Sequence, residues 1–263
     1  MSLRCAMAAM LLGVGLFGCS SGPAKDPNER TPSDLYVLKG LQYLENGRLD
    51  VAKQDLERAV ALDENNPEAH NAMGVLHERL GEPALAEQEF RRALALNANH
   101  IGAGTNYGRI LCAQGKYDEA MAHFQKAIDS KLYPTPWLAL TNAGLCAKSH
   151  GNTAEAENLL RKALESNPQF APALLEMARI SLDAGNFMST RAFLQRYDAV
   201  ADFTPESLSL GVRAEQGLGN AKEADAYRKK LLRFFPDSKE AAQIRPKRAA
   251  EPPQTPPPAN ISP

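Results

Sequence analysis

Residues 47–81 read GRLDVAKQDLERAVALDENNPEAHNAMGVLHERLG. Ala52, Leu56 and Ala59 fall at i, i+4 and i+7, the spacing of one face of an α-helix. That pattern stops at the polar run Asp63-Glu64-Asn65-Asn66, and Asn66-Pro67 places a capping side chain ahead of a proline at the first helical position. A second helix then runs to Gly81, which sits where a terminating residue must enter the left-handed region that glycine reaches without a Cβ penalty. Outward from this stretch the glycine recurs at Gly115, Gly151, Gly185 and Gly219. Counted from Gly47, the steps between the six marks are 34, 34, 36, 34 and 34.

Other positions keep the same beat. Seven places before each glycine stand Gly40, Gly74, Gly108, Gly144 and Ala178, with Val212 as the exception. Five places after it come Ala52, Ala86, Ala120, Ala156, Thr190 and Ala224. Short side chains let two helices cross closely, so these two series predict the contact within each hairpin. Leu56, Phe90, Phe124, Leu160 and Leu194 fill the space beside it, with Tyr227 standing in next to Arg228 in the last unit. A third series, Ala59, Ala93, Ala127 and Ala163 followed by Tyr197 and Leu231, is expected to meet the next unit. A helix-turn-helix period of about 34 residues resembles the tetratricopeptide repeat. The resemblance implies an all-α, right-handed superhelical solenoid of six tetratricopeptide (TPR) units, 33–66, 67–100, 101–136, 137–170, 171–204 and 205–238. The two extra residues before Trp137 predict a longer turn midway.

The ends read differently. MSLRCAMAAMLLGVGLFGC, residues 1–19, carries Arg4 and then an apolar run from Cys5 to Phe17, too short to span a bilayer but suited to a signal peptide. Leu16-Phe17-Gly18-Cys19 resembles a bacterial lipobox, although Phe17 is larger than usual before the glycine. Residues 1–18 are therefore expected to be a lipoprotein signal peptide, Cys19 the lipid attachment site and 19–32 a polar tether. Ser20, and not Asp, after the cysteine resembles an outer-membrane address. Residues 239–263 are expected to form a short closing helix and a disordered Pro-rich tail.

Composition narrows the function. Lys+Arg 30 against Asp+Glu 31 leaves a formal charge of −1, without the general basic field of a nucleic-acid binder. The five histidines, His70, His77, His100, His123 and His150, have no spacing suited to a metal site, no GxxxxGK[ST], GxSxG or HExxH motif is present, and the formal dinucleotide fingerprint Gly13-x-Gly15-x-x-Gly18 is discarded because it neither follows a strand nor opens a βαβ unit. The chain is thus expected to be no enzyme, with no cofactor, metal, small-molecule substrate or nucleic acid.

In tetratricopeptide proteins ligands commonly meet positions 5, 9 and 12 of the first helix. Here those positions are Val37, Leu41 and Leu44 in unit one, with Val75 in unit two and Arg109, Lys148, Arg179 and Arg213 at comparable places later. The expected partner-binding set is Val37, Leu41, Leu44, Val75, Arg109 and Arg179, apolar at the start and more basic further along. A face assignment displaced by one residue, or a tether folded over unit one, competes with the apolar stripe, and solvation or pairing within the protein competes with the basic line. Cys112 and Cys146 lie at helix positions 12 and 10 of adjacent units, an offset that favours two small buried thiols over a disulfide.

Cys19 after its signal, the short tether and six units filling 33–238 are similar to the PilF/PilW family of type IV pilus biogenesis, as are Leu41-Gln42-Tyr43-Leu44-Glu45-Asn46-Gly47 and Pro67-Glu68-Ala69-His70-Asn71-Ala72-Met73-Gly74. That resemblance implies an escort anchored by lipid at the periplasmic face of the outer membrane. Such an escort binds the secretin subunit of the type IV pilus and promotes its multimerisation, as pilus biogenesis and twitching motility require. The alternative is an outer-membrane adaptor for peptidoglycan hydrolases or other envelope-assembly machinery.

Overall fold

A computed structural model describes residues 30–244. The signal segment 1–18, Cys19 with the tether up to residue 29, and the tail from Arg245 onward lie outside the described residues. Among the described residues there are thirteen helices and no strand. They form six antiparallel hairpins: α1 (Pro32–Glu45) with α2 (Leu49–Leu62), α3 (Pro67–Leu80) with α4 (Pro83–Leu96), and α5 (Ile101–Ala113) with α6 (Tyr117–Asp129). Then come α7 (Pro136–Ser149) with α8 (Thr153–Ser166), α9 (Ala171–Asp183) with α10 (Phe187–Asp198), α11 (Pro205–Gly217) with α12 (Ala221–Phe234), and the short α13 (Lys239–Ile244).

Local chemistry sets the helix ends. The Asn66 side chain accepts from the backbone N–H of Glu68 at 2.9 Å and of Ala69 at 3.2 Å, which satisfies donors that a helix start leaves free. Thr204 and Ser207 form a reciprocal capping box at the start of α11. All six period-marking glycines have positive φ, from 70° to 90°, and follow the first helix of their hairpins. Asn66 also joins two units, since its Nδ2 donates to Ser33 Oγ and Asp34 Oδ1, each at 2.9 Å.

Within a hairpin the small residues let the backbones close on a large side chain. A Cβ on Gly40 would lie 2.5 Å from Leu56, and one on Gly74 2.4 Å from the Phe90 ring. Unit six keeps this device in a shifted register. Gly211, not Val212, faces its partner, and that partner is Tyr227, whose ring is 2.7 Å from where a Cβ would stand. Both members move back by one residue, so their separation in sequence is the same as that of Gly74 and Phe90. Ala241 of α13 is buried against Leu208 and Leu231 and closes the far end of the core.

The backbone of each first helix closely approaches that of the next first helix, from α1 through α11, whereas the backbones of neighbouring second helices stay farther apart. The stack must therefore curve with the odd-numbered helices inside, as consecutive repeats of a solenoid do. The inner wall is a groove built from six first helices.

Candidate functional site

The groove exposes less of each first helix than the sequence pattern suggests. Val37 and Leu44 are buried, at 2% and 3% exposure, in a cluster with Ala69, Ala72, Met73 and Leu76 of α3. Their expected place on a partner-binding surface is corrected to the core. The physical reason is helix geometry: at about 100° per residue Val37 and Leu44 lie roughly 20° apart, on the side that α3 covers, while Leu41 is turned roughly 40–60° away from them. Leu41, the central position, stays half-buried.

That central position defines a column along the wall: Leu41, Val75, Arg109, Leu145, Arg179 and Arg213. None of the six is buried. Of the expected set, the structure brings Leu41, Val75, Arg109 and Arg179 into one line. The sequence pattern misses Leu145, although it is 42% exposed and falls in the column once the two extra residues before Trp137 are counted. It borders a cavity of about 520 Å³ that Arg109, Cys112, Cys146, Tyr117 and His150 also line. Tyr117 and His150 stack there with ring centroids 4.2 Å apart.

The basic line is largely neutralised from within. Arg109 pairs with Glu78 of the preceding first helix. Burial raises the Glu78 pKa from its ordinary value, and the Arg109 charge opposes that rise. Lys148 Nζ donates to Glu176 Oε1 at 2.7 Å, and Glu176, only 3% exposed, also accepts from Arg179. Arg179 Nε reaches Glu206 of α11 at 2.8 Å. Burial alone would lower the Arg179 pKa, but Glu206 and Glu176 together hold it above its ordinary value. These cations tie successive first helices together, so a ligand would meet paired charges and not a bare basic track. Arg213 is exposed and has no ion pair among the described residues.

Cys112 and Cys146 form a disulfide, with Cα atoms 5.7 Å apart, which overturns the expectation of two free thiols. Neighbouring first helices are staggered, so that position 12 of one faces positions 9 and 10 of the next. Glu78 meets Arg109 by an offset of three positions, and Cys112 meets Cys146 by an offset of two. The mismatch in repeat position that argues against a bridge is what aligns the two sulfurs.

Among the described residues no group of three His, Cys, Asp or Glu could hold a metal ion, and no helix is long and apolar enough to cross a membrane. What the groove offers chemically is an apolar entrance, a mid-groove cavity and paired charges, all suited to holding another polypeptide.

Comparison with known proteins agrees with this architecture. Three tetratricopeptide repeat family models match residues 37–101, 100–169 and 147–211. The chain is 31% identical over 250 residues to the type IV pilus assembly protein PilF of Pseudomonas aeruginosa, covering 93% of this chain and 99% of that protein. The crystal structure of PilW, described as a widely conserved type IV pilus biogenesis factor, superposes with a TM-score of 0.73 at 29% identity, over 82% of this chain and 99% of PilW. A solved structure of Pseudomonas aeruginosa PilF gives 0.71 at 29% identity, over 81% and 96%. Fold and groove together define a tetratricopeptide-repeat protein, a class of scaffolds that bind through stacked helical hairpins. Within that class the chain belongs to the PilF/PilW family.

Proposed function

We propose that this protein is a non-enzymatic escort in type IV pilus biogenesis. It holds the secretin subunit in its groove and delivers it to the outer membrane through a lipid on Cys19. The observation that carries the reading is the end-to-end match to PilF, 31% identical over 93% of this chain and 99% of the relative. The groove supplies recognition through Leu41, Val75 and Leu145, which are the apolar members of the exposed column. The acyl chains supply an address and raise the effective concentration of secretin subunits at one surface, which favours ring assembly without any bond-making step.

The test replaces Leu41 by Glu in the full-length protein and measures capture of the secretin subunit, secretin multimers in membranes and twitching. A carboxylate in a half-buried apolar site is expected to lower capture at least tenfold, with far-UV circular dichroism unchanged. Val75→Glu serves as a second variant should Leu41→Glu alter the helical content. Wild-type capture by both variants would remove the apolar end of the groove from the site. In the same cells, Cys19→Ala is expected to abolish incorporation of labelled palmitate and to leave secretin unassembled. Normal secretin multimers in that strain would overturn the lipid-borne delivery.

A further inference from the structure

Unit three departs from its neighbours at one packed place. The fourth position of the first helix is Tyr36, His70, Leu140, Leu174 and Leu208 in the other five units, and Gly104 in this one. The second helix answers it with Asp55, Glu89, Leu159, Phe193 and Tyr227, and here with His123. In unit two the pair is hydrogen-bonded, His70 to Glu89. In units four to six a buried leucine and the large side chain opposite it share a hydrophobic cluster. Unit three lacks the first member of the pair, and a cavity of about 380 Å³ stands at the gap.

Leu94 and Ile101 give the cavity an apolar wall, Gly104 leaves it open, and His123, Lys126 and Asp129 of α6 supply polar groups. No member of the groove column lines it. A Cβ on Gly104 would stand 3.3 Å from His123 Nδ1, so that nitrogen faces the place of the missing side chain. His70, His77 and His100 each bond a carboxylate, whereas His123 has no hydrogen-bond partner among the described residues. The Tyr107 ring meets it edge-on, with centroids 5.5 Å apart.

The charges around the cavity cancel. Burial lowers the His123 pKa, with Lys126 assisting and Glu119 opposing, so near pH 7 the ring is neutral, with one N–H and one bare nitrogen. Lys126 and Asp129 are opposite in formal charge, and His100, also on the wall, is taken up by Glu68 at 2.8 Å.

We propose that this cavity takes a tyrosine side chain of a bound polypeptide, with its ring against Leu94 and Ile101 and its hydroxyl on His123. The volume falls in the range of ligand pockets, roughly 300–1,000 Å³, enough for a ring and part of the chain that carries it. Ala98 beside the cavity is exposed, which lets that chain continue over the surface. Cancelled charges favour a neutral occupant over an acidic or basic one. A phenol hydroxyl both donates and accepts, so it satisfies His123 Nδ1 in either tautomer. An indole N–H only donates, and a phenylalanine ring does neither. The inference stands apart from the pilus reading, because it uses neither the groove column nor Cys19.

The test titrates the full chain, isotope-labelled at its histidine rings, with N-acetyl-tyrosinamide. The imidazole signals are followed by NMR, and that of His123 is assigned by its loss in His123→Leu. It is expected to move and to saturate. Gly104→Leu restores the leucine that units four to six carry at this place. It should weaken binding at least tenfold and leave the melting temperature unchanged or higher. N-acetyl-phenylalaninamide should bind the wild type about fivefold more weakly than the tyrosine amide, the worth of one hydrogen bond. In His123→Leu, ligand-observed NMR should find the two amides equal, a readout that stands even should Gly104→Leu alter the helical content. An unmoved His123 signal overturns the proposal, as does wild-type affinity in a folded Gly104→Leu or equal affinity of the two amides for the wild type. Tighter binding of N-acetyl-phenylalanine, whose carboxylate is free, would assign the cavity to an anion and overturn the tyrosine site.

Discussion

Gly74 shows how little room the hairpins leave. Its missing side chain lets the buried Phe90 ring press on the backbone of α3, and any Cβ there would meet three ring atoms within 2.9 Å. A stiff, fully enclosed ring cannot retreat as the end of a flexible side chain can. Gly74→Ala is therefore expected to destabilise the protein by roughly 1–3 kcal/mol, read as a lowered urea midpoint. An unchanged midpoint would mean that the ring has space the packing does not show. The small-residue series is readable in the sequence because it repeats with the period. The shift to Gly211 and Tyr227 in unit six is only half readable: Tyr227 stands out beside Arg228, but Gly211 lies one place off the expected Val212.

At the scale of helices, α3 is held to α4 through His70. Its Nδ1 lies 2.6 Å from Glu89 Oε2 and its Nε2 3.0 Å from the Glu64 carbonyl oxygen, and both of those groups only accept. A neutral imidazole has one donor, so only the protonated ring satisfies both contacts. The Glu89 carboxylate accordingly raises the His70 pKa above its ordinary 6.5, with burial opposing and the Glu64 carbonyl assisting. The stabilisation is then fully present below pH 6.5 and is lost as the pH climbs through the raised value. His123 works in the opposite sense, because burial lowers its pKa, with Lys126 assisting, and its contribution is lost as the pH falls below 6.5. The difference in melting temperature between the wild type and His70→Asn isolates the first effect. It should be largest near pH 6 and shrink toward pH 9, and a difference that is flat with pH would show that His70 is neutral in the fold. Nothing in the spacing of the histidines signals this pairing, since Glu89 lies well along the chain on the opposing helix.

For the molecule as a whole, the Cys112–Cys146 bridge joins the third and fourth units beside the mid-groove cavity. A solenoid contacts itself only through neighbouring repeats, so each junction is a place where it can open. The bridge closes a sequence separation of 34, for which chain entropy gives a stabilisation of roughly 3–4 kcal/mol. Cys112→Ser with Cys146→Ser is expected to lower the urea midpoint by a corresponding amount. It should also speed hydrogen exchange in α5 and α7 before exchange in α1 or α11. Uniform acceleration along the chain would show that the bridge guards global stability and not this junction.

The repeat, the hairpins and the number of units are legible from the residues alone, because helix periodicity, caps and small-residue contacts are local features that recur once per unit. The residues also carry the family, since the likeness to PilF runs through nearly the whole chain. Which side of each first helix remains open is set by the packing between units. Burial of Val37 and Leu44, pairing of Arg109 and Arg179 with acids on neighbouring helices, and closure of the disulfide all depend on the stagger between adjacent units. A stagger is a relation between helices a full repeat apart in the chain, set by how their side chains interlock. No spacing within a single helix contains it.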